Sequence, residues 1–359
     1  MTARRFLASF TAGCLTVLGS VAAINMAVDV SGIYRSSGDD YRRHVRDYVQ
    51  ALRSTSQGLV KSPFDRAVKL ELARTTTADC YVLGSSHEML INRERFPLLD
   101  RQCRDLVNVA VSGASFEDVL SSLAIVADKA AGTRVIVGVP PWFYRRDADV
   151  RWREFSADYE WARTRFGLER GRAASAGKDK WLNLINAEYL RRNVQALRKT
   201  SGKLTAFPPI QPVVSPEQLA DRDSVYLPDG SMVESRAGTV RAAEALVGTG
   251  DYKYSSVTAV PEVLREFESA LRVLQRQGVE VTLLLMPYHP KVLRCAKPEI
   301  CTWLSAAEAV SRELGARMGI PVIGGYDPGP LGLAHEDFYD YMHVAAEGLP
   351  KMSAALSRK

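Results

Sequence analysis

Several kinds of chemistry are missing from this sequence. There is no CxxC pair and no His/Cys spacing of the sort that holds zinc, so neither a metal nor another cofactor is expected. Zinc-finger, RNP-type and alternating basic-aromatic stretches are absent, which excludes nucleic acid as an expected partner. No GxxxxGKS/T segment and no GxGxxG after a strand is found, so a nucleotide-binding reading lacks its phosphate loop. Repeats and low-complexity tracts are absent too.

Charge is missing from one stretch in particular. From Phe6 to Val28 no charged residue occurs, and as a helix this run would reach roughly 34 Å, enough to cross a bilayer. Arg4 and Arg5 precede it and favour a cytoplasmic N-terminus, which places everything after Asp29 outside the cytoplasm. A cleaved signal peptide is the rival, with Phe6 to Leu18 as its apolar part and Val21-Ala22-Ala23 as the cleavage site. Apolar character continues past Ala23, which favours the uncleaved anchor. Either reading exports the domain.

Only five cysteines are present, and Cys14 lies inside the apolar run. The other four make an even set in an oxidising compartment, and the expected pairings are Cys80 with Cys103 and Cys295 with Cys301. Basic residues are unevenly spread. Between Arg145 and Thr200 there are 14 Lys/Arg and 8 Asp/Glu, an excess equal to the net charge of +6 for the whole chain. That stretch can attract an anionic polymer or lipid headgroups, or simply form a solvated helical surface.

Along the chain, Tyr41, Val45, Tyr48, Val49 and Leu52 recur at helical spacing, and Phe64 to Arg74 offers a second short helix. Apolar strands then alternate with amphipathic helices. The strands are Tyr81 to Gly84, Leu106 to Ala110, Arg134 to Gly138, Val279 to Leu285 and Pro321 to Ile323. The helices are Phe116 to Asp128, one through Val263, Phe267, Leu271 and Leu274, one around Ser305 to Met318, and a last one from about Ala345. This alternation predicts a three-layer α/β/α, flavodoxin-like domain with a parallel sheet. The expected divisions are a cytoplasmic tip and transmembrane anchor (1–30), a membrane-proximal helical connector (31–77), the α/β domain (78–144 and 259–359) and an inserted helical subdomain (145–258).

Functional residues of such sheets gather beyond the carboxyl ends of the strands. Gly84-Ser85-Ser86-His87, Ser112-Gly113-Ala114-Ser115, Pro140-Pro141-Trp142 and Pro287-Tyr288-His289 all fall there. Ser86 is the expected nucleophile, with Ser85 as its fallback. A serine hydroxyl needs a base, and Asp340-Tyr-Met-His343 supplies an imidazole with a carboxylate to orient it. Asp337 is the other candidate orienter. His87 and His289 stand at strand ends as candidate substrate-binding residues or structural caps, and Trp142 as a substrate platform or packing residue. His335 reads as a loop residue and Asn108 as a structural one.

These blocks resemble the SGNH/GDSL hydrolases over residues 78–144 and about 259–357. Gly84-Ser85-Ser86 is similar to the first block with Ser in place of the usual central Asp. Asn108-Val-Ala-Val-Ser-Gly113-Ala looks like the second, and Asp340 with His343 like the last. The third block departs: the family's Asn in Gly-x-Asn-Asp has no counterpart in Gly138-Val-Pro-Pro-Trp142-Phe. A Pro-x-Trp-Phe segment, an N-terminal anchor and a large insertion resemble the DltD-like, membrane-anchored branch.

The resemblance implies an acyltransferase or esterase acting on an acylated polysaccharide, cell-wall polymer or glycolipid. It assigns Ser86, His343 and Asp340 as the triad, and the backbone N–H groups of Ser86 and Gly113 as oxyanion donors. The protein would sit in the inner membrane as a single-pass protein, its domain facing the periplasm or exterior. The missing Asn also admits a non-catalytic SGNH-fold partner of a membrane O-acyltransferase or polymer-export machine.

Overall fold

The computed structural model of the chain describes residues 3–29, 34, 38–129, 131–146, 148–169, 181, 184–199, 207, 209–212, 224–233, 259–293 and 298–358. Eight strands occur among them: β1 (Leu59–Val60), β2 (Cys80–Leu83), β3 (Leu106–Asn108), β4 (Arg134–Gly138), β5 (Val225–Tyr226), β6 (Met232–Val233), β7 (Glu280–Leu285) and β8 (Val322–Gly324). Five of them form one sheet in the order β3-β2-β4-β7-β8, every neighbouring pair parallel. Numbered within the sheet, that is the 2-1-3-4-5 order of flavodoxin-like folds, whose strand order reverses between the first and third strands. Here the reversal opens a crevice between the carboxyl ends of β2 and β4.

The central strands are apolar without alternation because both faces are covered. β2 is buried at each residue, and β4 is buried from Val135 to Gly138. Helices Asp65–Thr75, Phe116–Val126 and Pro261–Arg276 pack in a row, while Pro298–Met318 lies against β7 and β8. Gly348–Leu356 packs against the short Pro97–Asp100 helix. Ser115 caps the Phe116–Val126 helix in a reciprocal box with Asp118, as the three-residue spacing predicts. Gly278 ends the Pro261–Arg276 helix with a φ of +75°, a conformation that suits glycine.

The N-terminal segment is a 26-residue helix, Ala3–Val28, long and apolar enough to cross a membrane. Cys80 and Cys103 are joined by a disulfide, which clips the start of β2 to the segment leading into β3. The second expected pairing involves Cys295, which lies outside the described residues.

Three expectations need correction. The insertion is not purely helical. Beside helices Ser156–Arg165 and Ala187–Lys199 it contributes the β5–β6 hairpin, which joins β1 from the connector in a three-stranded antiparallel sheet. The connector, in turn, is part of the core. Arg66 of the Asp65–Thr75 helix reaches Asp118 at 2.8 Å, and buried Lys69 donates to the carbonyls of Asn108 and Gly230. A buried ammonium must find oxygen partners, and here they come from β3 and the hairpin turn. The last helix starts at Gly348 rather than near Ala345, so Asp340 and His343 precede it in a loop closed by the Phe338–Val344 bridge.

Candidate active site

The site grows from the carboxyl end of β2. Gly84 has a φ of +147°, and a Cβ there would come within 2.4 Å of the Glu88 carboxylate. A glycine is therefore required both by the backbone and by the space. The chain then coils through Ser85 to Ile91 in successive turns, with Glu88 N–H donating to Ser85 O and Met89 N–H to Ser86 O. This leaves Ser86 half-buried at the rim while its neighbours Ser85 and His87 are buried.

Ser86 Oγ stands 2.8 Å from His343 Nε2, and His343 Nδ1 stands 2.7 Å from Asp340 Oδ2. The other Asp340 oxygen accepts the backbone N–H groups of Met342 and His343, each at 2.7 Å. Burial acts to raise the Asp340 pKa, but the hydrogen bond and charge of His343 and those two N–H groups outweigh it and hold the carboxyl below its ordinary value. An ionised carboxylate only accepts, so Nδ1 carries the imidazole proton and Nε2 presents its lone pair to Ser86. Tyr339 stacks parallel on the His343 ring at 5.2 Å and His87 leans against it at 4.7 Å. The imidazole is thus fixed by its Asp340 bond and by these two neighbouring rings.

The fallback nucleophile is committed elsewhere. Ser85 is fully buried, and its backbone N–H and hydroxyl both donate to Glu88 Oε2, at 2.6 and 3.2 Å. Glu88 itself lies in the crevice between Gly84 and Gly138, where a Cβ on Gly138 would sit 2.1 Å from its carboxyl carbon. Burial pushes its pKa up to about 8, with the bonds from Ser85 acting in the opposite direction. Asp337 does not meet His343: it accepts from Ala334 N–H and pairs with Lys351.

The second block forms the opposite wall. Asn108 is structural, as expected: its amide donates to Glu88 O and Ile91 O and accepts from Ala110 N–H, tying the Ser86 turn to β3. Gly113 has a φ of +61°. The Ser112 carbonyl just before it accepts from Arg66 Nη2 at 3.2 Å and Arg151 Nη2 at 2.8 Å. In a trans peptide the N–H points opposite to the carbonyl, so the two guanidinium groups turn Gly113 N–H away from themselves. Among the described residues neither Gly113 N–H nor Ser86 N–H donates to a protein acceptor.

The three candidate substrate contacts read differently in the structure. Trp142 is buried, with its indole N–H donating to Ala114 O at 2.9 Å, so it braces the third block against the second. His87 is buried against Trp142, Tyr288 and His343, and neither ring nitrogen has a protein partner. Burial, with His343 next to it, lowers its pKa well below the ordinary value and keeps it neutral. His289 is held by partners outside the triad. Its Nδ1 accepts from Lys291 N–H, its Nε2 meets His335, and its backbone N–H donates to Tyr341 O, so it props the loop that carries Asp340. His335 is thus more than a loop residue, completing that prop from a short 3-10 turn.

Glu88, Tyr339, Arg66 and Arg151 were not legible as site residues. Glu88 left one trace, a carboxylate next to the apolar Met89-Leu90-Ile91 run. Arg151 left none, since only folding brings the insertion back onto Ser112. No group of His, Cys, Asp and Glu suited to a metal ion is found among the described residues. Compared with known proteins, the chain matches no family model and no curated relative.

Proposed function

We propose that this protein is a membrane-anchored serine acyltransferase or esterase of the SGNH type, similar to the DltD-like branch. Its substrates would be acyl groups carried on, or destined for, an envelope polysaccharide, cell-wall polymer or glycolipid. The observation that carries the reading is the unbroken chain Asp340–His343–Ser86, at 2.7 and 2.8 Å, on a half-buried serine at the strand-order reversal. In this reading the N-terminal helix holds the domain on the outer side of the inner membrane, and the Cys80–Cys103 disulfide suits that compartment.

Ser86 Oγ forms a bond to the carbonyl carbon of an ester or thioester while its proton passes to His343 Nε2. The carbonyl oxygen takes the displaced electron pair and is received by the N–H groups of Ser86 and Gly113. Collapse of the intermediate expels the alcohol or thiol, which leaves with the proton from His343. An acceptor hydroxyl, or water, then repeats the sequence in reverse on the acyl-Ser86 ester. Two backbone donors without the family's third-block Asn predict a slower enzyme on simple esters, since one such donor typically contributes on the order of 100-fold or more.

A fluorophosphonate probe is expected to label the full-length protein on Ser86. Ser86→Ala should abolish labelling, and Ser85→Ala should leave the labelled site at Ser86. A protein that resists the probe, and whose Ser86→Ala variant restores envelope acylation in a deletion strain, would leave only a non-catalytic role.

A further inference from the structure

The insertion carries a surface that the acyl chemistry does not use. The outer end of the Ala3–Val28 helix is not free: Asn25, fully buried, donates to Leu184 O at 2.8 Å and Asn186 O at 3.3 Å, and accepts from Asn193 at 3.0 Å. Tyr189 donates to Asp29 one turn further on. The insertion therefore grips the N-terminal helix at a defined height. Counting from Phe6, Asn25 lies roughly 29 Å up the helix axis, close to the ~30 Å thickness of a hydrocarbon core. The turn at Leu184 to Asn186 stands at the level where that core gives way to headgroups.

At this level the insertion exposes large apolar side chains. Trp181 is 64% exposed and Ile185 48%, beside the exposed apolar surface of the helix itself. Trp is the residue most suited to a membrane–water boundary. The Ala187–Lys199 helix that follows has four basic residues and one acidic in its sequence, and Arg191 and Arg198 are exposed. Apolar side chains at the boundary with cations beyond them are the composition of an element lying in a bilayer surface.

We propose that Trp181 and residues 184–199 are a second membrane contact: Trp181 and Ile185 enter the outer-leaflet interface and the Ala187–Lys199 helix after them rests on the headgroups. The insertion then fixes the tilt and height of the domain, where a single spanning helix alone would leave it free to swing. The inference depends on the N-terminal helix crossing the bilayer, and the test separates the two.

Full-length protein is placed in phosphatidylglycerol-containing nanodiscs with doxyl-labelled lipid, and an environment-sensitive fluorophore is attached at one thiol. Exposed Cys14, the free thiol among the described residues, reports the span. Cys14→Ser with Ile185→Cys reports the proposed contact, and Cys14→Ser with Glu280→Cys, at the exposed start of β7, is the control on the α/β domain outside that contact. Strong lipid quenching at 14 and 185, with none at 280, is expected. Quenching at 14 without any at 185 overturns the second contact alone, as does a label at 185 that responds only to added anionic polysaccharide. Absence of quenching at 14 overturns the span and the contact together, while fluorophosphonate labelling of Ser86 in the same samples reports the chemistry independently.

Discussion

Asp340 sets the tautomer of His343 by accepting its Nδ1–H, and that bond can be reversed by one atom. Asp340→Asn keeps the shape but offers Nδ1 an amide N–H, which would turn the Nε2 proton toward Ser86. A loss of about 10⁴-fold in fluorophosphonate labelling rate is expected, with the melting temperature nearly unchanged. Glu88 provides a test of a different kind. Unfolded, it releases its proton near 4.5; folded, it holds it to about 8. Across that interval the folded state binds more protons, so raising the pH costs stability. Glu88→Gln should flatten this decline, so that thermal melts from pH 5 to 8 diverge in favour of the variant as pH rises. A wild-type curve without that decline would show Glu88 ionised in its crevice.

At the scale of elements, the Ser112–Gly113 peptide is held by parts of the chain far from it in sequence. Arg66 comes from the connector and Arg151 from the insertion, and both close on Ser112 O. Under the proposed acyl chemistry, Arg151→Ala should lower kcat by about 10- to 100-fold with KM little changed, because it would loosen a donor that matters only when charge develops. Arg151→Lys should recover part of the loss. The connection from β2 to β3 is closed by Cys80–Cys103, 23 residues apart. Removing the pair by Cys103→Ser with Cys80→Ala is expected to cost about 3 kcal/mol in chemical denaturation, chiefly through the freed unfolded chain.

At the scale of the whole molecule, an α/β domain is gripped through its insertion by the N-terminal helix, which is long and apolar enough to cross a membrane. Full-length protein should stay with membranes through alkaline carbonate extraction, and a protein cleaved after Ala23 in the cell would be released instead; the mass of the mature chain distinguishes them directly. Much of this organisation was legible beforehand. An uncharged run of membrane length declared the first helix, and alternating apolar strands and amphipathic helices declared a parallel sheet, since a strand covered on both faces has no polar side to show. The Ser115–Asp118 cap was also readable from its three-residue spacing, and the Cys80–Cys103 clip from each cysteine standing just before an apolar run.

What the sequence determined by itself was local: where the chain turns helical or extended, where it can enter a bilayer, and which residue types could share the work of a serine nucleophile. Only the tertiary structure showed which serine meets His343, Ser86 and not Ser85, and which carboxylate does, Asp340 and not Asp337. In each case the choice rests on which oxygen another side chain claims first, Glu88 in the same turn for Ser85 and Lys351 from the last helix for Asp337. It likewise turned Trp142 into a brace and His289 into a prop, and brought Arg151 to Ser112. Hydrogen-bond partners separated by tens or hundreds of residues leave no periodicity along the chain, so distance in space, not order in sequence, assigns them.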